Sequence, residues 1–240
     1  MKIVSLKTRG QQGFSLVELA VVLVILGFVL AALLLPLQAQ RENTFRSQTE
    51  NQLEIAKRAL IGFAQTNGRL PCPATAVSGG LESPAGGGTC TNQLGYLPAA
   101  TLGLQPANED GLAIDGWNNP ILYGVTQVIT AGGAATPDFT TANEMNVVGV
   151  ANLAPDLVVC PEADNCPATY LIDNAVAIIY SLGPTGALAS QGVDEDENPT
   201  VPGADTQFVS QSPTSTFDHI VVWISPYVLY NAMIQAGQLH

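Results

Sequence analysis

From Leu19 to Leu37 the chain carries no charged or strongly polar side chain. That run is about the ~20 residues a helix needs to cross a bilayer. A helix apolar all round must be covered by lipid or by protein, so this stretch constrains the fold more than any other. The segment before it, residues 1–13 "MKIVSLKTRGQQG", has three positive charges and no acid. Positive flanks stay in the cytoplasm, so the later chain is expected on the far side. A secretory signal has a shorter apolar core and a small-residue cleavage site; no A-x-A-like site follows closely here, so the helix is expected to be retained. One carboxylate, Glu18, stands at the entrance of the run. An unpaired charge in hydrocarbon costs roughly 2.5–3.5 kcal/mol on insertion scales, so this acid calls for a partner.

Charge is segregated along the rest. Lys2, Lys7, Arg9, Arg41, Arg46, Lys57, Arg58 and Arg69 are all of the basic residues, and residues 70–240 hold sixteen acids and no Lys or Arg. Such a surface repels nucleic acid and anionic headgroups. It is either a solvated acidic face or one that holds divalent cations. The four cysteines, Cys72, Cys90, Cys160 and Cys166, form two sequence-local pairs after the apolar run. An even count beyond an export signal suits disulfides in an oxidising compartment, with Cys72–Cys90 and Cys160–Cys166 the favoured pairing of three. Zinc is the rival, but there is no C-x-x-C, and the two histidines, His219 and His240, are far off in sequence.

"G-FSLVEL" followed by a long apolar helix resembles the type IV prepilin signal: Gly13, then Phe14, then Glu18 four residues on. The resemblance spans about residues 9–38. It implies that a prepilin peptidase cuts after Gly13 on the cytoplasmic side and methylates the new N-terminus at Phe14. It implies that Glu18 pairs with that new amine, in its own or a neighbouring subunit, and sets register as subunits enter a filament. The plainer reading is an acid snorkelling to the interface of a simple signal anchor, which leaves the Gly-Phe dipeptide unexplained. Pro36 stands one residue beyond the place where many family members have a helix-bending proline. Cleavage would remove three basic residues and take the formal charge from −12 to −15.

The helix is expected to continue past the membrane. Leu53, Lys57, Leu60 and Ala64 share a face, with Ala56 and Phe63 beside them, at about 3.6-residue spacing. Glu54 and Arg58 form an i,i+4 pair in the favourable order. Asn67-Gly68 followed by Pro71 is a stop. A helix from Phe14 to Asn67 would be roughly 80 Å long. After a Gly- and Pro-rich loop over 70–90, "DGWNNPILYGVTQVIT", "NVVGV", "PDLVVC", "NAVAIIYSLGPTGA" and "DHIVVWIS" read as strands, and "YVLYNAMIQAGQL" as a short terminal helix. The expected fold is α+β: a long N-terminal helix packed on an antiparallel β-sheet head. The expected divisions are a leader (1–13), a transmembrane and assembly helix (14–38), its amphipathic continuation (39–68) and a periplasmic or extracellular head (69–240).

"DGWNNPILY", "YSLGPTGA" and "FDHIVVWIS" occur in the order of similar motifs in the major pseudopilin of type II secretion and its relatives. In that group the stretch between the last two motifs can hold calcium. The resemblance therefore makes Asp194, Asp196, Glu197, Asp205 and Asp218, with Glu195 beside them, candidate calcium ligands; six to eight oxygens are the usual shell. Thr185 stands where an acid often follows the Gly-Pro turn in that group, and the segment is not an EF-hand loop. No P-loop, G-x-G-x-x-G or H-E-x-x-H occurs. His219, beside Asp218 at a strand start, reads as a surface histidine, and Trp117, Trp223, Tyr227 and Tyr230 as packing residues. The expected role is a structural pilin-like subunit, a pseudopilin or minor pilin. Its expected partners are other subunits, the prepilin peptidase and an inner-membrane assembly platform, with no nucleic acid and no required cofactor beyond the calcium candidate. An adhesive or ligand-binding tip subunit is the second reading.

Overall fold

The computed structural model describes residues 15–186, 188 and 192–240, and no side chains over 31–39. The elements in order are α1 (Leu16–Asn67), β1 (Leu94–Tyr96), α2 (Ala99–Leu102), β2 (Leu122–Val125), α3 (Glu144–Val148), β3 (Leu157–Cys160), β4 (Ile172–Ala175), β5 (Ala177–Ser181), α4 (Val193–Asp196), β6 (Gln207–Val209), β7 (Ile220–Ile224) and α5 (Pro226–Gln235). The chain divides into two compact units, one ending at Thr44 and one from Phe45 to His240.

The first unit contains the start of α1, whose side chains from Leu16 to Leu30 are all exposed. Among the described residues no helix is long and apolar enough to cross a membrane. Of the expected span over 14–38, Phe14 and the side chains of 31–38 lie outside the described residues.

In the second unit, α1 becomes one-faced. Leu53, Ala56, Leu60 and Ala64 are buried, while Glu54 and Arg58 are exposed. Burying a leucine contributes roughly 1.5–3 kcal/mol, so this stripe binds the helix firmly. Lys57 lies partly buried beside it and pairs with Glu54 at 4.0 Å, one helical step short of the expected Glu54–Arg58 pair. Arg58 instead donates its Nε to the Glu54 carbonyl. Gly68, at φ +67°, closes the helix and its N–H bonds the Ala64 carbonyl at 2.9 Å. That left-handed position favours glycine as a helix terminator.

Four strands form an antiparallel sheet in the order β1-β2-β5-β7. Their alternation splits the core in two. Tyr123, Val125, Ala177, Ile179, Ile220 and Ile224 face α1 and α5. Leu122, Ile178, Tyr180 and Val221 face the other way, toward Leu157, Val159 and Phe208 of a second sheet. The period of two in these strands thus serves two buried layers, which is why β5 reads as apolar throughout. The second sheet, β4-β3-β6, departs from the all-antiparallel expectation because β3 and β6 run parallel. The long connection from β3 through β4, β5 and α4 gives the chain room for that crossover.

"NVVGV" is a second departure. It lies in α3 and the turn after it, not in a strand. Asn143, at φ +65°, turns the chain into a short helix that buries Met145 and Val148 three residues apart, and Gly149 at φ +79° ends it. Packing of that pair overrides the β preference of two adjacent valines.

Candidate functional site

The N-terminal motif is the first place to consider. Gly13 and Phe14 lie outside the described residues. Ser15 and Glu18 form a reciprocal cap at the start of α1. The Ser15 N–H donates to Glu18 Oε2 at 3.0 Å, and the Glu18 N–H donates to Ser15 Oγ at 3.2 Å. This S-x-x-E capping box satisfies two of the backbone donors that a helix start leaves open. Its sequence signal is "SLVE", a serine followed three residues later by a glutamate. Glu18 is therefore also a helix-starting residue, placed where a carboxylate favours the positive end of the helix dipole.

The acidic segment from α4 to β7 is the second. Asp194 accepts from the Ala163 N–H at 2.8 Å and from Gln211 Nε2 at 2.8 Å. Asp205 accepts from the Gln207 N–H at 3.0 Å. Asp218 accepts from Thr185 Oγ1 at 2.7 Å and from the Thr185 N–H at 3.2 Å. Asp196 is exposed and Glu197 half-buried. Burial, then the nearby Asp205 carboxylate, pushes Glu197 above its usual carboxylate value. Among the described residues, no three of the five expected ligands place donor atoms within 4.8 Å of one another. Asp218 alone joins a ligating group, with Glu195 and His219, whose donor atoms lie within 4.8 Å of one another.

That group is tied into hydrogen bonds. Glu195 Oε1 accepts from the Asp218 N–H at 3.1 Å. Asn198, fully buried, donates Nδ2 to the Val209 carbonyl and accepts the Val209 N–H at its Oδ1, both at 2.9 Å. The same Nδ2 lies 3.2 Å from His219 Nδ1. With the amide as donor, His219 is neutral with its proton on Nε2. His219 is 5% exposed, not the surface residue expected. Burial lowers its pKa, and the Glu195 charge only partly opposes this. A carboxylate–imidazole donor set differs from the all-oxygen shell that calcium takes.

The two disulfide loops are the third. Cys72 is bonded to Cys90 and Cys160 to Cys166. Behind the first lies a buried ion pair that no sequence pattern announced. Arg69 and Glu82 make two parallel bonds of 2.7 Å and are 7% and 10% exposed. Glu82 also accepts from the Cys72 and Gly86 N–H groups, and Arg69 lies 5.1 Å above the centroid of the Phe63 ring. Burial alone would raise the Glu82 pKa, but the Arg69 bonds and charge, with those two N–H groups, hold it below its usual value. Gly87, at φ +77°, passes too close to the Thr140 carbonyl for any side chain.

The "DGWNN" turn is a third buried polar centre. Asp115 Oδ1 accepts from the Trp117 and Asn119 N–H groups at 2.9 and 2.8 Å, and Oδ2 accepts from Ser181 Oγ at 2.5 Å. Burial raises its pKa against these bonds. The Gly116 N–H donates to buried Thr49 of α1 at 2.9 Å, and a Cβ at Gly116 would meet the Phe45 carbonyl at 2.6 Å. This motif holds the helix to the sheet. Of the four expected packing aromatics, Tyr230 is buried, Trp117 and Trp223 are partly so, and Tyr227 is 77% exposed.

Residues 8–34 match the family model described as the prokaryotic N-terminal methylation motif. The matched stretch contains Gly13, Phe14 and Glu18, so the chain carries a type IV pilin-like prepilin signal. No curated protein and no solved structure matches the chain.

Proposed function

We propose that the chain is a structural subunit, a pseudopilin or minor pilin, of a type IV pilus or type II secretion filament. The observation that carries this reading is the methylation motif over residues 8–34. The exposed apolar side chains from Leu16 to Leu30 support it, because they need lipid or neighbouring helices to cover them. In this reading the leader stays cytoplasmic, α1 anchors the subunit in the bacterial inner membrane, and the head lies in the periplasm until assembly. A prepilin peptidase cuts after Gly13, Phe14 is methylated, and an assembly platform adds the subunit to the filament.

Glu18 then has two roles in sequence. Before cleavage it caps α1 together with Ser15. After cleavage the positive amine at Phe14 supplies the charge that an acid in a membrane needs. Intact mass and an N-terminal peptide map of protein from host membranes test this directly. Methylated Phe14 as the first residue supports the reading, and a retained Met1 overturns it. Glu18→Ala is expected to give a cleaved, membrane-inserted subunit that enters filaments poorly; normal incorporation removes the pairing role.

Calcium belongs to this reading as a ligand of the segment Asp194–Asp218, whose several carboxylates are the oxygen donors it takes. A higher melting midpoint of the full-length protein in calcium than in chelator supports it, and an unchanged midpoint removes it. A tip-located, adhesive subunit is the alternative, favoured by the exposed stapled loop after Cys160. Single-copy labelling at filament ends distinguishes it from a shaft subunit.

A further inference from the structure

The short disulfide Cys160–Cys166 closes a loop whose residues are mostly exposed. Beyond it come Tyr170 and Leu171, adjacent and 52% and 51% exposed. The segment is held at several points. The Thr169 N–H bonds the Asn165 carbonyl at 2.8 Å, the Leu171 N–H bonds the Val159 carbonyl at 2.7 Å, and the Cys166 N–H bonds the Ala163 carbonyl at 3.1 Å. Asn165 Nδ2 donates to Glu162 at 2.6 Å, and the Ala163 N–H is tied to Asp194. An aromatic and a leucine are thus presented to solvent on a segment whose backbone is already ordered. Ordering is a main cost of association, and tyrosine is among the residues that anchor interfaces.

The charged residues next to this pair in sequence are of one sign. Glu162, Asp164 and Asp173 flank it, and residues 70–240 contain no Lys or Arg. The 70–240 surface of a second copy would bring more acid to the same place and be repelled. We propose that the Tyr170–Leu171 segment is a docking surface for a cationic polypeptide that carries apolar side chains, supplied by a protein other than this one. The apolar pair provides the anchor, and the three acids provide steering and selection of sign. The inference does not depend on the filament reading, and its failure leaves the N-terminal signal untouched.

The test uses the full-length protein in phosphatidylcholine nanodiscs, with empty nanodiscs as blank. The probes are synthetic peptides of lysine with leucine, lysine with serine, and glutamate with leucine, followed by fluorescence anisotropy. The lysine–leucine peptide is expected to bind tightest. Tyr170→Ser with Leu171→Ser should weaken it about tenfold, the loss that follows removal of an interface anchor. Asp164→Asn with Asp173→Asn should weaken it and flatten its salt dependence. The control is the other acidic–apolar patch, Val77→Ser with Glu109→Gln and Asp110→Asn, where Val77 is 94% exposed. Binding unchanged in the Tyr170/Leu171 variant, equal weakening in the control, or equal binding of the glutamate–leucine peptide each overturns the proposal. So does self-association of the parent protein that the same variant abolishes, which would make the occupant a second copy. All three variants sit at exposed positions, and unchanged melting midpoints confirm that they fold.

Discussion

The two disulfide-closed loops invite comparison, since each follows from a pair of cysteines close in sequence. They are separated by 18 and 6 residues. Chain entropy alone ranks them close together, at about 3 and about 2 kcal/mol. Their surroundings differ far more. Cys72 is fully buried, and its loop wraps the Arg69–Glu82 pair under the end of α1. The Cys160–Cys166 loop starts from an equally buried Cys160, but most of its own residues are exposed, and an exposed tyrosine and leucine follow it. The first staple closes a core, whereas the second fixes a piece of surface. Cross-link entropy is similar in both, so what each contributes is decided by the neighbours that it orders.

The largest expected effect is at the ion pair. Arg69→Met leaves Glu82 buried without its cation, a loss of about 3–5 kcal/mol, read by denaturant unfolding. The same variant should alter the acid limb. Because Glu82 has its pKa lowered on folding below 4.5, its stabilisation is complete above that value and is lost as pH falls through the lower folded value. In Arg69→Met that part of the acid loss should disappear. An unchanged acid profile would mean that Arg69 does not govern Glu82.

Next come the disulfides. Cys72→Ala with Cys90→Ala is expected to cost about 3 kcal/mol or more, and Cys160→Ala with Cys166→Ala about 2 kcal/mol. If the two losses prove equal, the contrast between core and surface loops falls. Smallest is Tyr170→Ser with Leu171→Ser, expected to lie within about 0.5 kcal/mol of the parent in stability. A large loss there would show that the second loop also closes a core.

Much of the helical part was legible because its signals are periodic and local. The buried stripe Leu53, Leu60 and Ala64 and the stop at Asn67-Gly68 needed only spacing and a glycine. The capping box in "SLVE" is equally local, with both partners within one helical turn. The strands β5 and β7 could be read from their apolar runs, but their pairing could not. "NVVGV" misled because β-branched composition says nothing of the buried surface waiting for Met145 and Val148. Glu54 was expected to pair with Arg58 and pairs with Lys57, a choice between neighbours that rotamers make.

The sequence by itself determined the processing signal, the apolar start of α1 and its one-faced continuation, because each depends on residues within a few turns of one another. The tertiary structure alone decided that Arg69 would meet Glu82, that Asp115 would hold Ser181, and that His219 would be buried beside Asn198 and Glu195. Those arrangements join segments 13 to 66 residues apart. A polar group far along the chain finds its partner only after the sheets and helix have removed water from both.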